Sequence, residues 1–289
     1  MSAPAPGATR LTTKVLRDLP QPSWDEGKEQ RGRVLIIGGS EQVPGAALLA
    51  ATAALRAGAG KLQIATARGV AGSLAIATPE ALVIGLEVDD QGQIARGCDA
   101  LDHALGAADA VLVGSGMRRS PATAALVRHV AERTTGTLVV DAGALSAELC
   151  APPGTPFVLT PHAGEMAALA EVDKDIVQRE PQVFAREFAR RTRSVLVLKG
   201  ATTFIAAPDG ALWIHRGGCP GLGTSGSGDV LAGIVAGLAA RGGAPEQAAL
   251  CGVLVHAMAG ERLSRRVGTV GFLAREIPAQ VPGILERLA

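Results

Sequence analysis

The densest chemistry in the sequence lies in one run, Gly221-Leu222-Gly223-Thr224-Ser225-Gly226-Ser227-Gly228-Asp229-Val230-Leu231-Ala232-Gly233. Its glycines let the backbone fold closely around an anion. The apolar residues after Asp229 read as a helix whose free N–H groups and positive dipole end face that anion. A phosphoryl group fits such a turn. Asp229 falls in the first helical turn, where its carboxylate can take a proton from a substrate hydroxyl as that hydroxyl attacks phosphorus. The competing reading is a helix cap beside an ordinary tight loop. The small hydroxyl residues Thr224, Ser225 and Ser227 around the aspartate favour the chemical one.

Five further segments carry the right residue types at strand ends. Gly38-Gly39-Ser40 with Pro44-Gly45-Ala46 is a glycine turn at the edge where open α/β sheets bind ligands, but it is not the GxGxxG dinucleotide fingerprint. Gly114-Ser115-Gly116-Met117 and Asp141-Ala142-Gly143-Ala144 follow two more apolar runs, and Asp141 either binds a metal or substrate hydroxyl or caps the next helix. In Thr160-Pro161-His162-Ala163-Gly164-Glu165, Pro161 fixes the turn and a helix begins near Gly164, which presents His162 at the sheet edge. In Leu198-Lys199-Gly200-Ala201-Thr202-Thr203, a strand runs into a turn whose lysine, hydroxyls and N–H groups can meet nucleotide phosphates, or whose lysine is simply solvated. His103, His129, His215 and His256 have no such setting and read as structural.

The elements that must position these loops alternate along the chain. Arg33–Ile37, Leu62–Ala65, Leu82–Ile84, Ala110–Val113, Leu138–Asp141 and Phe157–Leu159 are short apolar runs separated by helix-length segments such as Ala46–Ala57 and one starting near Pro121. Strands that are apolar throughout, rather than alternating, argue for a mostly parallel sheet covered on both faces. Val195–Leu198, Thr202–Ala206 and Ala211–Ile214 are separated by turn signals, and the last two read as an antiparallel hairpin. Two apolar helices, Val230–Ala240 and Pro245–Ser264, and a short C-terminal helix complete the chain, and the apolar pair leaves room for a subunit interface.

Composition excludes several classes. The 289 residues suit one large α/β domain over 11–289 behind a loose tail at 1–10. With 37 glycines, 47% apolar residues and no tyrosine, the core is built from Ala, Val, Leu and Ile. A formal charge of +1 with no basic block argues against nucleic acid. Cys98, Cys150, Cys219 and Cys251 show no metal or disulfide spacing, which suggests reduced thiols in a cytoplasm. The N-terminus lacks a secretory pattern. Val230–Ala240 falls well short of the ~20 residues a membrane helix needs.

In this order the six segments, with Ala53-Ala54-Leu55-Arg56-Ala57-Gly58-Ala59-Gly60, resemble the ADP- or ATP-dependent NAD(P)H-hydrate dehydratases of the ribokinase-like superfamily, from about Leu11 to the C-terminus. The resemblance implies a three-layer α/β/α domain that repairs hydrated NADH or NADPH. In that family the C6 hydroxyl of the S form of the hydrated nicotinamide ring is phosphorylated and phosphate is then eliminated, releasing AMP when ADP is the donor. By motif, Ala46, Gly116, His162 and Asp229 would contact the hydrated dinucleotide. Lys199, Gly200, Ala201, Thr202, Thr203 and Gly228 would contact ADP or AMP. Asp229 would be the base, and the backbone of Ser225, Gly226, Ser227 and Gly228 the anion hole.

The resemblance further implies Mg2+ on the nucleotide phosphates with no dedicated protein ligands, ADP rather than ATP as donor, a cytoplasmic homotetramer, and a functional partner in NAD(P)H-hydrate epimerase. Val43 stands where many relatives have an aromatic, and Ser227 where many have threonine. The alternative is a ribokinase-like kinase of a vitamin precursor or sugar that releases its phosphoester.

Overall fold

The structure is a computed structural model that describes residues 7–19, 27–146, 149 and 155–288. Along the chain β1 (Thr9–Arg10) and β2 (Arg33–Ile37) lead into α1 (Pro44–Arg56), then β3 (Lys61–Ala67), α2 (Arg68–Ala77), β4 (Ala81–Val88), β5 (Ile94–Arg96) and α3 (Asp99–Ala107). Next come β6 (Ala110–Val113), α4 (Pro121–Arg133), β7 (Thr137–Val140), β8 (Phe157–Leu159), α5 (Ala163–Ala170), α6 (Lys174–Arg179), α7 (Pro181–Thr192) and β9 (Val195–Leu198). The hairpin β10 (Thr203–Ala206) and β11 (Leu212–His215) precedes α8 (Ser227–Ala240), α9 (Pro245–Arg266) and α10 (Pro282–Leu288).

All the strands join one sheet in the order β1-β11-β10-β9-β8-β7-β6-β2-β3-β4-β5. From β9 to β4 every neighbour is parallel. The hairpin β10/β11 and the edge strand β5 are antiparallel. Side chains alternate between two cores. Val34 and Ile36 join one with Ala110, Leu112 and the inner faces of α1, α8 and α9; Leu35 and Ile37 join the other with Val111, Val113 and buried residues of α3, α4, α5 and α7. Strands buried on both faces have no polar alternation to keep. The result is the expected three-layer, mostly parallel α/β fold.

Two expectations change. Residues 1–6 of the anticipated tail lie outside the described residues, but Thr9–Arg10 is not loose: it pairs in parallel with β11, Thr9 opposite Trp213. The free edge of a hairpin offers unpaired backbone groups, and this short segment takes them. Helices α8 and α9 are also not free for an interface. Their apolar residues, Val230 to Leu238 and Ala248 to Ala259 among them, are already buried within the chain. Cys98, Cys219 and Cys251 form no disulfide among the described residues, and Cys150 lies outside them. Among the described residues no helix is long and apolar enough to cross a membrane.

Glycine sets the distance between α1 and α8. A Cβ added at Gly233 would lie 2.2 Å from Ala50 O, and one at Gly237, a turn later, 2.4 Å from Ala54 O. The helices therefore meet backbone to side, and their N-terminal ends, which carry Ala46 and Asp229, are held together. Gly233→Ala is expected to destabilise the protein by about 1–3 kcal/mol through overpacking, read as a fall of several degrees in the thermal midpoint. An unchanged midpoint would mean that the helices can separate without cost.

Candidate active site

The chain turns from β2 to β3 and β4 on one side of the sheet, and from β6 to β7, β8 and β9 on the other. The loops leaving β2 and β6 therefore diverge, and a crevice opens at the carboxyl ends of these strands, the usual ligand position in open α/β sheets. Two glycine segments cross there: Gly39 N donates to Ser115 O at 2.8 Å and Ser40 N to Gly116 O at 3.2 Å. Gly116 has a φ of +71°, and a Cβ on it would meet Val43 O at 2.6 Å and Ala46 Cβ at 2.8 Å. Ala46 and Gly116 thus share one floor. Ser40 and Ser115 bring buried hydroxyls to the same crossing, and neither has a hydrogen-bond partner among the described residues. Buried polar atoms without partners are uncommon and fit a site awaiting a polar ligand. Val43, at the start of α1, is 46% exposed and gives the crevice no aromatic cover.

A charged network lies beside this floor. Asp141, just after β7, is almost wholly buried and accepts from Thr160 Oγ1 at 2.7 Å and from Lys199 Nζ at 2.8 Å. Ala142, next in the chain, sits in the left-handed region (φ 48°), which is uncommon for alanine and turns the backbone sharply after the carboxylate. Lys199 Nζ also lies 3.9 Å from Glu165 Oε2. Burial alone disfavours the ammonium, but Asp141, Glu165 and Asp229 outweigh it and raise its pKa. Asp229 occupies the first turn of α8. Its pKa is pushed up to about 6, by burial first and by the charge of Asp141 second; the nearby Ser115 hydroxyl and the Lys199 ammonium act the other way. Ser115 influences Asp229 through proximity rather than a hydrogen bond of good geometry. A carboxylate poised near neutrality is suited to take and return a proton.

His162 and Lys199 face each other across a parallel bridge that extends the β8/β9 pairing. His162 caps α5: its Nδ1 accepts from Gly164 N at 3.0 Å and Glu165 N at 3.1 Å, while Glu165 accepts from His162 N at 2.7 Å. This is a capping box with histidine as the cap. With Nδ1 accepting, the neutral ring carries its proton on Nε2, and the side chain is 59% exposed.

A cavity of about 610 Å³ opens on the other side of α8. Its lining includes His162, Lys199, Gly200, Ala201, Thr203 and Gly228. Thr202 is not part of that lining. Lys199 Nζ would lie 3.3 Å from a Cβ at Gly228, so the ammonium stands at the mouth of the glycine turn. Ser227 N donates to Thr224 O at 3.2 Å, which ties up one of the four N–H groups expected to bind an anion. Ser225 and Gly226 lie in the turn outside the cavity lining, and Gly226 starts the helix in the left-handed region (φ 87°). The structure therefore brings Lys199, Gly200, Ala201, Thr203, Gly228 and His162 to one cavity, and Ala46 and Gly116 to the neighbouring crevice. Asp229 stands where Ser115 and Lys199 both reach it.

Sequence reasoning missed His256. Buried in α9, it places Nε2 3.0 Å from Ser227 Oγ and 3.1 Å from Ser227 O, and so braces the first residue of α8. Burial holds it down to about 4, hence neutral near pH 7. Ser227 keeps its hydroxyl in this contact. The pairing of Asp141 with Lys199 was also missed, since 58 residues separate them; the signal that pointed to it was only the shared strand-end position. Glu165 was visible as the third residue after His162, the capping-box spacing.

No group of three His, Cys, Asp or Glu side chains among the described residues is arranged to hold a metal. The donor set fits a magnesium ion carried by nucleotide phosphates and water, with the Asp229 and Glu165 carboxylates, both felt by Lys199, as nearby negative charge.

Comparison with known proteins identifies the family. The family model described as NAD(P)H-hydrate dehydratase matches residues 34–282. The chain is 60% identical over 283 residues to the ADP-dependent (S)-NAD(P)H-hydrate dehydratase of Xanthomonas campestris, covering 98% of each chain. The crystal structure of the ADP/ATP-dependent NAD(P)H-hydrate dehydratase from Bacillus subtilis, co-crystallised with ATP and Mg2+, superposes with a TM-score of 0.86 at 29% identity, over 99% of this chain and 100% of that one. A ribokinase-like superfamily protein from Enterococcus faecalis superposes with a TM-score of 0.84 at 26% identity, over 100% and 99%. The family model covers most of the chain, and the chain belongs to the NAD(P)H-hydrate dehydratase family.

Proposed function

We propose that this protein is an ADP-dependent (S)-NAD(P)H-hydrate dehydratase, working as one domain that also takes in the edge strand at Thr9–Arg10. The observation that carries the reading is the position of Asp229, a carboxyl group with a raised pKa between a crevice floored by Ala46 and Gly116 and a nucleotide-sized cavity headed by Lys199 and Gly228. Ala46 and Gly116 hold the hydrated dinucleotide in this scheme, and His162 reaches it from the lining of the nucleotide cavity. Lys199, Gly200, Ala201, Thr203 and Gly228 hold ADP, and Thr202 supports their turn. Asp229 takes the proton of the C6 hydroxyl as its oxygen bonds to the β-phosphorus of ADP, and the bond from that phosphorus to AMP breaks.

Hydroxide is a poor leaving group, whereas phosphate leaves as a stable dianion. Its C6–O bond breaks, a proton leaves the adjacent carbon, and the ring double bond returns with no change of oxidation state. The N–H groups of Ser225, Gly226 and Gly228, with the positive end of α8, stabilise the charge that develops on phosphate; Ser227 contributes by fixing the turn. When bound, magnesium neutralises charge on the nucleotide phosphates.

The same reading makes the protein a cytoplasmic homotetramer that depends on NAD(P)H-hydrate epimerase to convert the unusable isomer. The likeness to the Xanthomonas enzyme supports the activity and favours the dehydratase over a kinase that keeps its phosphoester. Incubation with hydrated NADH and ADP is expected to restore the absorbance of the reduced nicotinamide, with AMP and phosphate appearing in equal amounts. No recovery with either ADP or ATP would overturn the proposal.

A further inference from the structure

The crevice floored by Ala46 and Gly116 is fastened from a third direction, by the turn between β4 and β5. Asp89 closes that turn by accepting from Gln91 N and Gln93 N, both at 2.9 Å. Gly92 carries it through the left-handed region (φ 69°), and a Cβ there would meet Glu41 Oε2 at 3.0 Å and Gln42 Nε2 at 3.1 Å. The turn therefore lies directly against the loop that leaves β2. Glu41 N donates to Gly92 O at 3.1 Å, and Gln42 Nε2 donates to Gln91 O at 2.9 Å.

Gln93 extends this hold to the loop that leaves β6. Its Oε1 accepts from Arg118 N at 2.8 Å, and its Nε2 donates to Gln42 Oε1 at 3.2 Å. Hydrogen-bond chemistry forces both orientations. A backbone N–H can only donate, so the oxygen of Gln93 faces Arg118; a carbonyl can only accept, so the amino group of Gln42 faces Gln91 and its oxygen faces Gln93. Thr123 Oγ1 donates to Arg118 O at 2.7 Å, so Arg118 is gripped at its N–H and at its carbonyl.

Gln93 is only 2% exposed. Burying a carboxamide is costly unless it is hydrogen-bonded, and an apolar side chain would fill the same space at less cost. An apolar side chain could not join Gln42 to Arg118. Those two residues flank the crevice floor: Gln42 comes just before Val43 and the start of α1, which carries Ala46, and Arg118 follows Gly116 by two residues. The inner parts of the two loops already cross where Gly39 N meets Ser115 O and Ser40 N meets Gly116 O. Gln93 ties their outer parts. None of Gln42, Gln93 and Arg118 lines the nucleotide cavity.

We infer that Gln93 is a positioning residue for the hydrated dinucleotide: by bridging Gln42 and Arg118 it fixes the spacing of the loops that carry Ala46 and Gly116. The inference rests on the proposed use of that crevice by hydrated NAD(P)H. Its effect falls on dinucleotide binding and spares ADP, because the bridge lies on the crevice side of the site alone.

Steady-state turnover of hydrated NADH at saturating ADP, with calorimetric titration of ADP, tests it in wild type, Gln93→Leu, Gln42→Ala and the double variant. Gln93→Leu is expected to raise KM for hydrated NADH about tenfold, the scale of a lost buried hydrogen bond. Its kcat and ADP affinity are expected to stay within about twofold, the pattern of lost substrate binding without lost transition-state contacts. Gln42→Ala removes one arm of the bridge and is expected to raise KM about threefold. The double variant is expected to be no worse than Gln93→Leu, because both changes break one link. A KM within twofold of wild type in Gln93→Leu overturns the inference, as does a matching loss of kcat and ADP affinity, or effects that multiply in the double variant. Wild type that does not turn over hydrated NADH overturns the function and the inference with it, whereas active wild type and an unaffected Gln93→Leu overturn the inference alone. Should Gln93→Leu lose its thermal transition, Gln42→Ala decides, since Gln42 is exposed: a raised KM with unchanged kcat supports the bridge, and an unchanged KM overturns it.

Discussion

Asp229→Asn is expected to lower the turnover of hydrated NADH with ADP by about 10²–10⁴-fold, the range a general base contributes, while leaving ADP affinity within about threefold. Asparagine keeps the shape and the place in the first turn of α8 but cannot accept the hydroxyl proton. The nucleotide cavity reaches Gly228 and Lys199, and Asp229 is not part of its lining, so binding and chemistry separate at this residue. Asp229→Ala should behave the same way. Single-turnover measurement of AMP release, with ADP binding measured in parallel, checks the prediction. Unchanged turnover in either variant would remove Asp229 from the mechanism.

The wild-type enzyme should show the matching pH dependence. The base works deprotonated, and its pKa is raised to about 6. Activity is therefore full above that value and falls about tenfold per pH unit below it. His256 does not add a second limb in this range, because burial holds it down to about 4, and it contacts Ser227 rather than the reacting groups.

Much of this was legible in the sequence because its physical causes are local. Short apolar runs bounded by glycine turns, such as Ala110–Val113, fit strands buried on both faces, and all four of those residues are fully buried. Glycines after such runs mark the carboxyl edge, so the loops at Gly38, Gly114, Asp141, His162 and Lys199 were gathered correctly on one side of the sheet. The placement of Asp229 in a first helical turn followed from the glycines before it and the apolar run after it.

What stayed hidden depends on neighbours far apart in the chain. The contact between Asp141 and Lys199 exists because β7, β8 and β9 lie side by side, and strand order is not written in any single strand. His256 reaches Ser227 from a different helix, 29 residues away, and a lone histidine in an apolar run gives no direction. The strand at Thr9–Arg10 is too short for periodicity and forms only because the hairpin leaves an edge. The burial of α8 and α9 was invisible for the opposite reason. An apolar helix reads alike whether its own chain or a partner covers it.

Asp141 gives the second large effect, through others rather than by touching substrate. Its carboxylate holds Lys199 at the mouth of the phosphate turn, and its charge helps to keep Asp229 basic. In Asp141→Asn the side chain keeps its size and its place beside Thr160, but loses that charge. Two consequences act in the same direction on Asp229. The like charge that raises its pKa is gone, and the ammonium, still 3.9 Å from Glu165, is freed to favour the ionised form of Asp229 more strongly. The acid limb of the pH–rate profile should therefore move down by about one pH unit. The plateau should fall by about 10–100-fold, as a weaker base and a displaced lysine both act against transfer. A purely structural role for Asp141 would lower stability and the plateau but leave the limb near pH 6. The two readings part on the pH profile alone: a limb that does not move would show that Asp141 anchors Lys199 without tuning the base.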